Sequence, residues 1–444
     1  MTGRRNFLLS FLLVQLVAAA ILTGCGLGAT PEPTPTSPPP RQLTVYMFNT
    51  PALRQVLDIL LGAFRERYPN YTIQVVDIQD DPARELASLS AAGRQPDIIW
   101  TIDNLTQGLA ASGALLDLRE LARADASFNL EDIDPAVLAI GNGRAVDEPG
   151  LYMIPASFET VQLFYNKDLF EAAGAPLPQP NWTWNDLIEA CQVVQAAHSG
   201  VDCLSFFNAD MPGADWWAYW APFVRGYGGD YLSADGRKST LSTPESLAGL
   251  QAYLDLWTRH KVARAPNAPS GDCFVQQRCA VVFFASLGIR AFRDRIGDRF
   301  EWDVQIIPSH PLGRFTGAAV YGFGIGRDTR DPEAAWQFVK YLVTPEAQRL
   351  IVAQRLGMPV LKSLAGEASL SQLTPPPSNI RAFIDGAQYA IPPHTYPPAC
   401  GSLYIGLPQE ALSQALRAAF AGASLEQALK AADSKIQACL DAGR

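Results

Sequence analysis

The most diagnostic segment of this chain is PASFETVQLFYNKDLF at residues 155–170. Its apolar residues predict a buried strand, and the turn-forming polar residues at 165–168 predict where that strand ends. A helix is predicted to begin at Trp184, because Thr183 is a favourable N-cap residue and Asp186 occupies the capping-box position, where Glu is usual. We expect Trp184 to pack in the core rather than to contact a ligand.

The residues on either side of this segment alternate between strand and helix patterns. Strands are predicted at 43–49, 72–77 and 97–100. Helices are predicted at 53–68, at 82–92, before Gly113, and later at 332–342 and 408–420. This β-α-β-α order predicts an α/β fold in which ligands bind at the carboxyl ends of the strands.

The composition is that of a globular protein with an excess of acidic residues. Of 444 residues, 48% are hydrophobic and 18% are charged, and 44 acidic against 35 basic residues give a net charge of −9. Because no run of basic residues is present, we expect no nucleic acid partner. The part of the chain after residue 41 is long enough for two domains.

The first 25 residues have the pattern of an export signal. Arg4 and Arg5 precede an apolar run at 7–22, which is shorter than the ~20 residues that span a bilayer. The Leu-Thr-Gly-Cys ending at 22–25 resembles the bacterial lipobox, which implies that 1–25 is a lipoprotein signal peptide and that Cys25 is lipidated. The alternative is an ordinary signal peptide with an incidental cysteine. The start also resembles a twin-arginine signal, so the export route stays open.

Residues 26–41 form a proline-rich segment, with prolines at 31, 33, 35, 38, 39 and 40. Such a composition builds no core and favours extended polyproline II. At ~3.1 Å per residue the segment reaches up to roughly 50 Å. We interpret it as a tether between the lipidated cysteine and the folded body.

The remaining cysteines predict disulfides. Of seven cysteines, removing Cys25 leaves six, an even number in an oxidising compartment. Pairing sequence neighbours gives three bridges, which are Cys191–Cys203, Cys273–Cys279 and Cys400–Cys439. A metal site is the alternative, but no Cys-x-x-Cys occurs and the four histidines are scattered singly. We therefore expect neither a metal nor another cofactor.

Several fragments stand in a characteristic order along the chain. They are FRERYP at 64–69, PDIIW at 96–100, GALLDL at 113–118, the 155–170 segment followed by Gly174 and Thr183-Trp184, CAVVF at 279–283, the segment 317–326 and PEAAWQF at 332–338. In this order they resemble the extracellular solute-binding proteins of ABC importers, specifically the sugar-binding family related to maltose-binding protein.

The resemblance implies a type II periplasmic-binding-protein fold, with two α/β lobes joined by several crossing hinge strands. The crossings are expected near 155–160, 284–287 and 320–325. The N-terminal lobe would then comprise 42–156 plus 288–320. The C-terminal lobe would comprise 157–287 plus 321–444, including the C-terminal helices.

The function that the resemblance implies is capture of an extracellular carbohydrate, an oligosaccharide or a disaccharide, between the lobes. A lipid-anchored monomer on the outer face of the membrane would deliver it to the permease subunits of an ABC importer. One alternative is the same fold binding a polyol phosphate, a metal chelate or a peptide, and a sensing role also stays open. A secreted glycoside-acting enzyme is a further alternative, but no His-Glu-x-x-His or Gly-x-Ser-x-Gly is present, so we expect no enzyme.

The two acidic candidates for the ligand site come from the resemblance. Glu159 and Asp103 stand where relatives place sugar-contacting carboxylates, and a carboxylate can accept hydrogen bonds from two hydroxyls at once. The alternatives are a structural hinge acid for Glu159 and a helix-capping Asp for Asp103.

The aromatic candidates follow from placement, because sugar rings need flat apolar surfaces. Trp216 or Trp217 is expected to be the stacking platform, and core packing is the alternative for one member of that tryptophan cluster. The other candidates are Tyr321 in a glycine-rich loop, Trp100 and Asn49 at strand ends, and Tyr396 in a proline-rich loop. Leu287 departs from the aromatic residue that relatives often have nearby, so the stacking geometry is expected to differ.

Overall fold

The computed structural model describes residues 39–48, 51–78, 82–142, 150–207, 216–264, 272–354, 357–366, 376–394, 396–397, 400 and 406–443. The chain divides into two units, 1–40 and 41–444, and the description below concerns the second. Cys25 and Asn49 lie outside the described residues. Within these ranges no helix is long and apolar enough to cross a membrane, and no cluster of potential ligands could hold a metal ion.

Strands and helices alternate along the described chain, as the sequence predicts. The strands are β1 (Arg41–Phe48), β2 (Tyr71–Ile78), β3 (Ile98–Ile102), β4 (Ile154–Asn166), β5 (Asp202–Phe206), β6 (Cys279–Ala285), β7 (Trp302–Gln305) and β8 (Ala318–Ile325).

The α-helices are α1 (Pro51–Arg67), α2 (Pro82–Ala91), α3 (Asp103–Ala111), α4 (Arg119–Ala124), α5 (Pro135–Asn142), α6 (Lys167–Ala173), α7 (Trp184–Ala197), α8 (Trp217–Gly226), α9 (Pro244–Thr258), α10 (Gly288–Ile296), α11 (Pro332–Tyr341), α12 (Pro345–Ala353), α13 (Lys362–Ala365), α14 (Arg381–Asp385), α15 (Leu407–Phe420) and α16 (Leu425–Ala442). Short 3-10 turns lie at Leu130–Asp132 and Gly386–Tyr389.

Local chemistry explains where α7 begins. Thr183 accepts a hydrogen bond from the backbone N–H of Asp186, and the Asp186 side chain accepts one from the Thr183 N–H, which completes the predicted capping box. Trp184 is buried and donates its indole N–H to Nε2 of His310 at 3.1 Å. Its predicted packing role is therefore confirmed.

One long strand, β4, connects two parts of the sheet. The strand order is β2-β1-β3-β8-β4-β6-β5, and β7 also pairs with β4. Residues 154–160 of β4 pair with β8, whereas residues 161–165 pair with β6 and residues 163–166 with β7. All thirteen residues of β4 are buried. The predicted crossing at 155–160 thus lies on the strand that both lobes share.

The structure differs from the predicted lobe boundaries. Strand β8 pairs with β3 as well as with β4, α11 packs on β1 and β8, and α12 packs on α1. The segment 321–353 therefore belongs with the N-terminal lobe, which contains β1, β2, β3 and β8. Conversely, β7 at 302–305 pairs with the later half of β4, which places it in the C-terminal lobe with β5 and β6. These pairings connect strands far apart in sequence, so local patterns did not reveal them.

Each lobe has its own aromatic core. In the N-terminal lobe the ring of Phe64 meets those of Phe338 and Tyr341 edge-on, with centroids 5.1 and 5.3 Å away. In the C-terminal lobe Phe206 stacks on Phe283 with centroids 5.1 Å apart. Such buried side chains each contribute about 1.5–3 kcal/mol to stability.

All three predicted disulfides are present in the structure. Cys191–Cys203 joins α7 to β5, Cys273–Cys279 joins the preceding turn to the start of β6, and Cys400–Cys439 joins the residues before α15 to α16. Each bridge shortens the loops available to the unfolded chain.

Gly317, directly before β8, lies in close contact with α8. Its carbonyl accepts the N–H of Val161 at 2.9 Å, and a Cβ at this position would lie 2.2 Å from Cβ of Ala218 in α8. We expect Gly317→Ala to lower the free energy of unfolding by about 1–3 kcal/mol, because helix backbone must move away. Urea denaturation of the purified protein measures this change.

The matched control is Gly62→Ala in α1, where no atom lies within 4 Å of the added Cβ. It is expected to raise the free energy of unfolding by roughly 0.5–1 kcal/mol, since Ala favours helix. Equal effects of the two substitutions would contradict the steric account of Gly317.

Candidate functional site

Glu159 lies at the point where β4 changes partners. It pairs with Ala319 of β8, and two residues further along the same face of β8 is Tyr321. The Tyr321 hydroxyl donates a hydrogen bond to Oε1 of Glu159 at 2.6 Å. The carboxyl group is almost completely buried, with 2% of the residue exposed.

The second carboxyl oxygen, Oε2, is buried and accepts no hydrogen bond from the described residues. Burial raises the pKa of the Glu159 carboxyl from its ordinary value of 4.5 to about 7, while the Tyr321 hydroxyl and the backbone amide of Leu287 oppose this rise. An unsatisfied buried acceptor is uncommon in folded proteins and calls for an explanation.

Trp100 and Tyr321 form an aromatic pair beside this carboxyl group. Their rings stack at an interplanar angle of 22°, with centroids 6.2 Å apart. The β3–β8 register, Trp100 opposite Phe323 and Ile102 opposite Tyr321, brings them to the same face of the sheet. Trp100 is buried, whereas Tyr321 is partly exposed.

Asp103 is fully buried at the start of α3, directly after β3. Its Oδ2 accepts the backbone N–H of Val320 at 3.2 Å. The N-cap position of α3 is Ile102, so the alternative of a capping Asp does not describe its position. Four predicted residues therefore meet around β8, which are Glu159, Asp103, Trp100 and Tyr321.

A polar network of the C-terminal lobe lies near Asp103. Nη1 of Arg225 forms an ion pair with Oδ2 of Asp230 at 2.7 Å, and Nε2 of His394 lies within hydrogen-bond distance of the same oxygen, at 2.8 Å. The backbone N–H of His394 donates to the Tyr231 hydroxyl at 2.7 Å. Burial is the main cause of the raised pKa of Tyr231, and the negative charges of Asp230 and Asp103 contribute to it. An acid of one lobe thus acts on a tyrosine of the other.

Sequence reasoning missed this network. Asp230 and Tyr231 follow directly on Gly228 and Gly229, a turn signal beside the tryptophan cluster. His394, however, is distant in sequence, and no local pattern connects it with Asp230.

The two tryptophan candidates have different environments. Trp216 is partly exposed and meets Tyr219 edge-on with centroids 5.1 Å apart. Trp217 is completely buried in the core of the C-terminal lobe and presents no ring face to a ligand, so its expected role as a platform is corrected to core packing. Tyr396 is buried in the same core, where burial raises its pKa well above the ordinary range.

Apolar residues that were not predicted lie at the ends of β5 and β6. Phe207 and Phe284 are both partly exposed and stack with centroids 3.9 Å apart. Leu287 follows, 37% exposed, and its backbone amide faces Glu159. A Cβ at Gly288 would lie 2.5 Å from Cδ1 of Phe284, so the absence of a side chain there permits the ring position. The signal was their placement at the carboxyl ends of strands.

Comparison with known proteins gives one family. The model of the bacterial extracellular solute-binding proteins matches residues 50–349. A maltooligosaccharide ABC transporter solute-binding lipoprotein of Streptococcus pneumoniae is 22% identical over 355 residues, which cover 76% of each chain. A putative binding protein of Brucella abortus is 24% identical over 314 residues, covering 68% of this chain and 72% of that protein.

Among solved structures, an ABC substrate-binding protein from Listeria monocytogenes in complex with cycloalternan has a TM-score of 0.74 and 22% identity. The match covers 90% of this chain and 99% of that one. This likeness shows a two-lobed α/β solute-binding fold.

The raised pKa of Glu159 predicts how stability depends on pH. Because the folded pKa of about 7 exceeds the ordinary value of 4.5, the stabilisation by its proton is complete below pH 4.5 and is lost as pH rises through 7. Glu159→Gln removes this loss. The wild type should therefore lose stability relative to the variant as pH rises. The difference in unfolding free energy, variant minus wild type, should increase by roughly 3 kcal/mol between pH 4.5 and pH 8.

Urea denaturation at the two pH values tests this expectation. The control is Glu120→Gln, whose wild-type side chain is 90% exposed. Parallel pH dependence of the Glu159→Gln variant and the wild type would contradict the assignment.

Proposed function

Because this chain belongs to the bacterial extracellular solute-binding proteins, which bind solutes and are not enzymes, we propose that it captures an oligosaccharide or a disaccharide between its lobes. The observation that carries this proposal is the buried, unpartnered Oε2 of Glu159 at the crossing strand. A sugar hydroxyl can donate a hydrogen bond to this unpartnered carboxylate oxygen.

Apolar surfaces around Glu159 suit the faces of sugar rings. The stacked pair Phe207–Phe284 is partly exposed at the carboxyl ends of β5 and β6. The partly exposed Trp216 contacts Tyr219, whose hydroxyl donates to the Phe207 carbonyl at 3.1 Å. Tyr321, stacked on Trp100, offers a second aromatic surface from the N-terminal lobe. A ligand that contacts both sets holds the lobes together, which is hinge closure driven by contacts made only in the closed state.

The comparisons favour glucose-based oligosaccharides as first probes. The Streptococcus relative is named for maltooligosaccharides, and the Listeria structure contains cycloalternan. Leu287 stands where relatives often have an aromatic residue, so the preferred linkage of this chain is expected to differ from theirs.

The predicted lipidation and tether at the N-terminus support delivery of the ligand to a membrane transporter. We propose that Cys25 is lipidated, that 26–41 is the tether, and that the receptor hands its ligand to the permease subunits of an ABC importer on the outer face of the membrane. The Streptococcus relative is named as a lipoprotein of an ABC transporter, which supports this proposal. Confinement near the permease raises the effective concentration of loaded receptor.

Thermal shift tests the ligand class. Maltose, maltotetraose or cycloalternan is expected to raise the melting temperature, because a ligand that binds only the folded state stabilises it by about 2.7 kcal/mol at 100 times its Kd. Glycerol 3-phosphate and a mixed tripeptide serve as contrasting probes. Stabilisation by these alone would replace the carbohydrate with another solute.

Calorimetry tests the role of Glu159. Glu159→Ala is expected to weaken binding of the stabilising sugar by roughly 10–100-fold, since a hydrogen bond to a charged group contributes about 1.5–3 kcal/mol. The exposed Glu120→Ala is the control and should leave the Kd unchanged. An unchanged Kd for Glu159→Ala at pH 8 would reject the ligand role of this carboxyl group.

Fractionation of cells tests the anchor. With Cys25 intact the protein is expected in the membrane fraction, and Cys25→Ala should release it, because the lipid has no other attachment point at this position. A variant that stays in the membrane fraction while its folded domain binds sugar would show that the anchor is not at Cys25.

A further inference from the structure

We propose that ligand binding at Glu159 is coupled to release of a proton from its carboxyl group, so that capture weakens as the surroundings become acidic. This inference rests on the proposed function, because it concerns the same site. It adds a regulation by pH that a permanently charged carboxylate would not give.

The hydrogen bonds around the carboxyl group leave its charged form under-satisfied. Oε1 accepts one hydrogen bond, from the Tyr321 hydroxyl at 2.6 Å, and Oε2 accepts none from the described residues. A carboxylate can accept about four hydrogen bonds, so the described residues leave most of its capacity unused. A proton on Oε2 removes the charge and leaves the bond from Tyr321 to Oε1 intact.

No charged side chain among the described residues acts on this carboxyl group. Strand β8 contributes Tyr321, and the turn before α10 contributes only the Leu287 amide. Charged residues on neighbouring helices have other partners: Arg290 pairs with Asp294 in α10, and Arg381 pairs with Asp385 in α14. Asp103 accepts the Val320 N–H.

Burial is consequently the dominant effect, and it raises the pKa of Glu159 to about 7. The proton is therefore bound to a substantial fraction of the free protein at neutral pH.

A ligand hydroxyl favours the charged form of Glu159 over the protonated form. When it donates a hydrogen bond to Oε2 it favours the carboxylate, so the pKa of Glu159 is lower in the complex than in the free protein. The proton leaves to the solvent as the hydroxyl binds. Above the free pKa the affinity is at its maximum. As pH falls from the free pKa towards the pKa in the complex, Kd rises up to about tenfold per pH unit.

The Tyr321 hydroxyl lowers the pKa of Glu159 in the ligand-free protein. Its hydroxyl favours the carboxylate, so Tyr321→Phe should raise the pKa of Glu159 and shift the pH range of weakened binding upwards. This variant retains the aromatic ring that stacks on Trp100. It therefore separates the hydroxyl's effect on the proton from the ring's contribution to packing.

The first measurement uses the ligand-free full chain. In protein labelled with carbon-13 at the glutamate carboxyls, one resonance is expected to titrate near pH 7, to be absent in Glu159→Gln and to titrate at higher pH in Tyr321→Phe. Titration of this resonance below pH 5 overturns the proposal, whatever the ligand.

The second measurement is calorimetry with maltotetraose as the probe, at pH 7, in phosphate and in Tris. Because these buffers differ in ionisation enthalpy, release of part of a proton gives buffer-dependent heats. Glu159→Gln should remove this dependence, and the exposed Glu120→Gln should retain it.

The outcomes distinguish failure of the proton coupling from failure of the proposed sugar capture. Buffer-dependent heats together with a Kd that rises below pH 7 support the coupling. Binding of maltotetraose with equal heats in both buffers and a constant Kd from pH 5 to 8 overturns the coupling and leaves sugar capture intact. Absence of binding of maltose, maltotetraose and cycloalternan at every pH overturns capture of these oligosaccharides and this proposal with it.

Discussion

The structure depends on a single strand whose backbone hydrogen bonds connect two parts of the sheet. Strand β4 pairs with β8 up to Thr160 and with β6 from Val161 onwards, so its partners change within one residue step. Every residue of the strand is buried, which leaves its amides no alternative partner in water. Glu159 lies one residue before the change, where both lobes contribute to its surroundings.

This position explains why a destabilising group is placed there. A buried carboxyl with one hydrogen bond is unfavourable for folding, and an apolar residue of similar size would be more stable. Under the proposed function such a group is retained because its missing hydrogen bonds are available to a ligand. In that proposal the feature that lowers the stability of the free protein also strengthens the hydrogen bond from the ligand hydroxyl, since this bond forms away from water.

Local sequence patterns determined much of the fold, and long-range pairing determined the rest. The capping box at Thr183 and Asp186 acts over three residues, and the disulfide partners are close in sequence, so both could be predicted. The lobe to which β8 belongs depends on its pairing with β3, more than 200 residues earlier, which no periodicity encodes. Similarly, Trp216 and Trp217 are adjacent in sequence. Only the start of α8 at Trp217 decides which of the two enters the core.

The C-terminal helices stabilise the side of the site formed by the C-terminal lobe. Asp433 in α16 accepts the backbone N–H groups of Leu241 and Ser242 at 2.9 and 2.8 Å. The neighbouring Thr240 hydroxyl donates to the Asp230 carbonyl at 2.6 Å, and the Asp230 side chain holds Arg225 and His394. Hydrogen bonds at both ends of the 240–242 segment therefore link the last helix to the polar network near Asp103. The Cys400–Cys439 disulfide also ties Cys400 to α16, so under the proposed closure this surface is already ordered before the ligand binds.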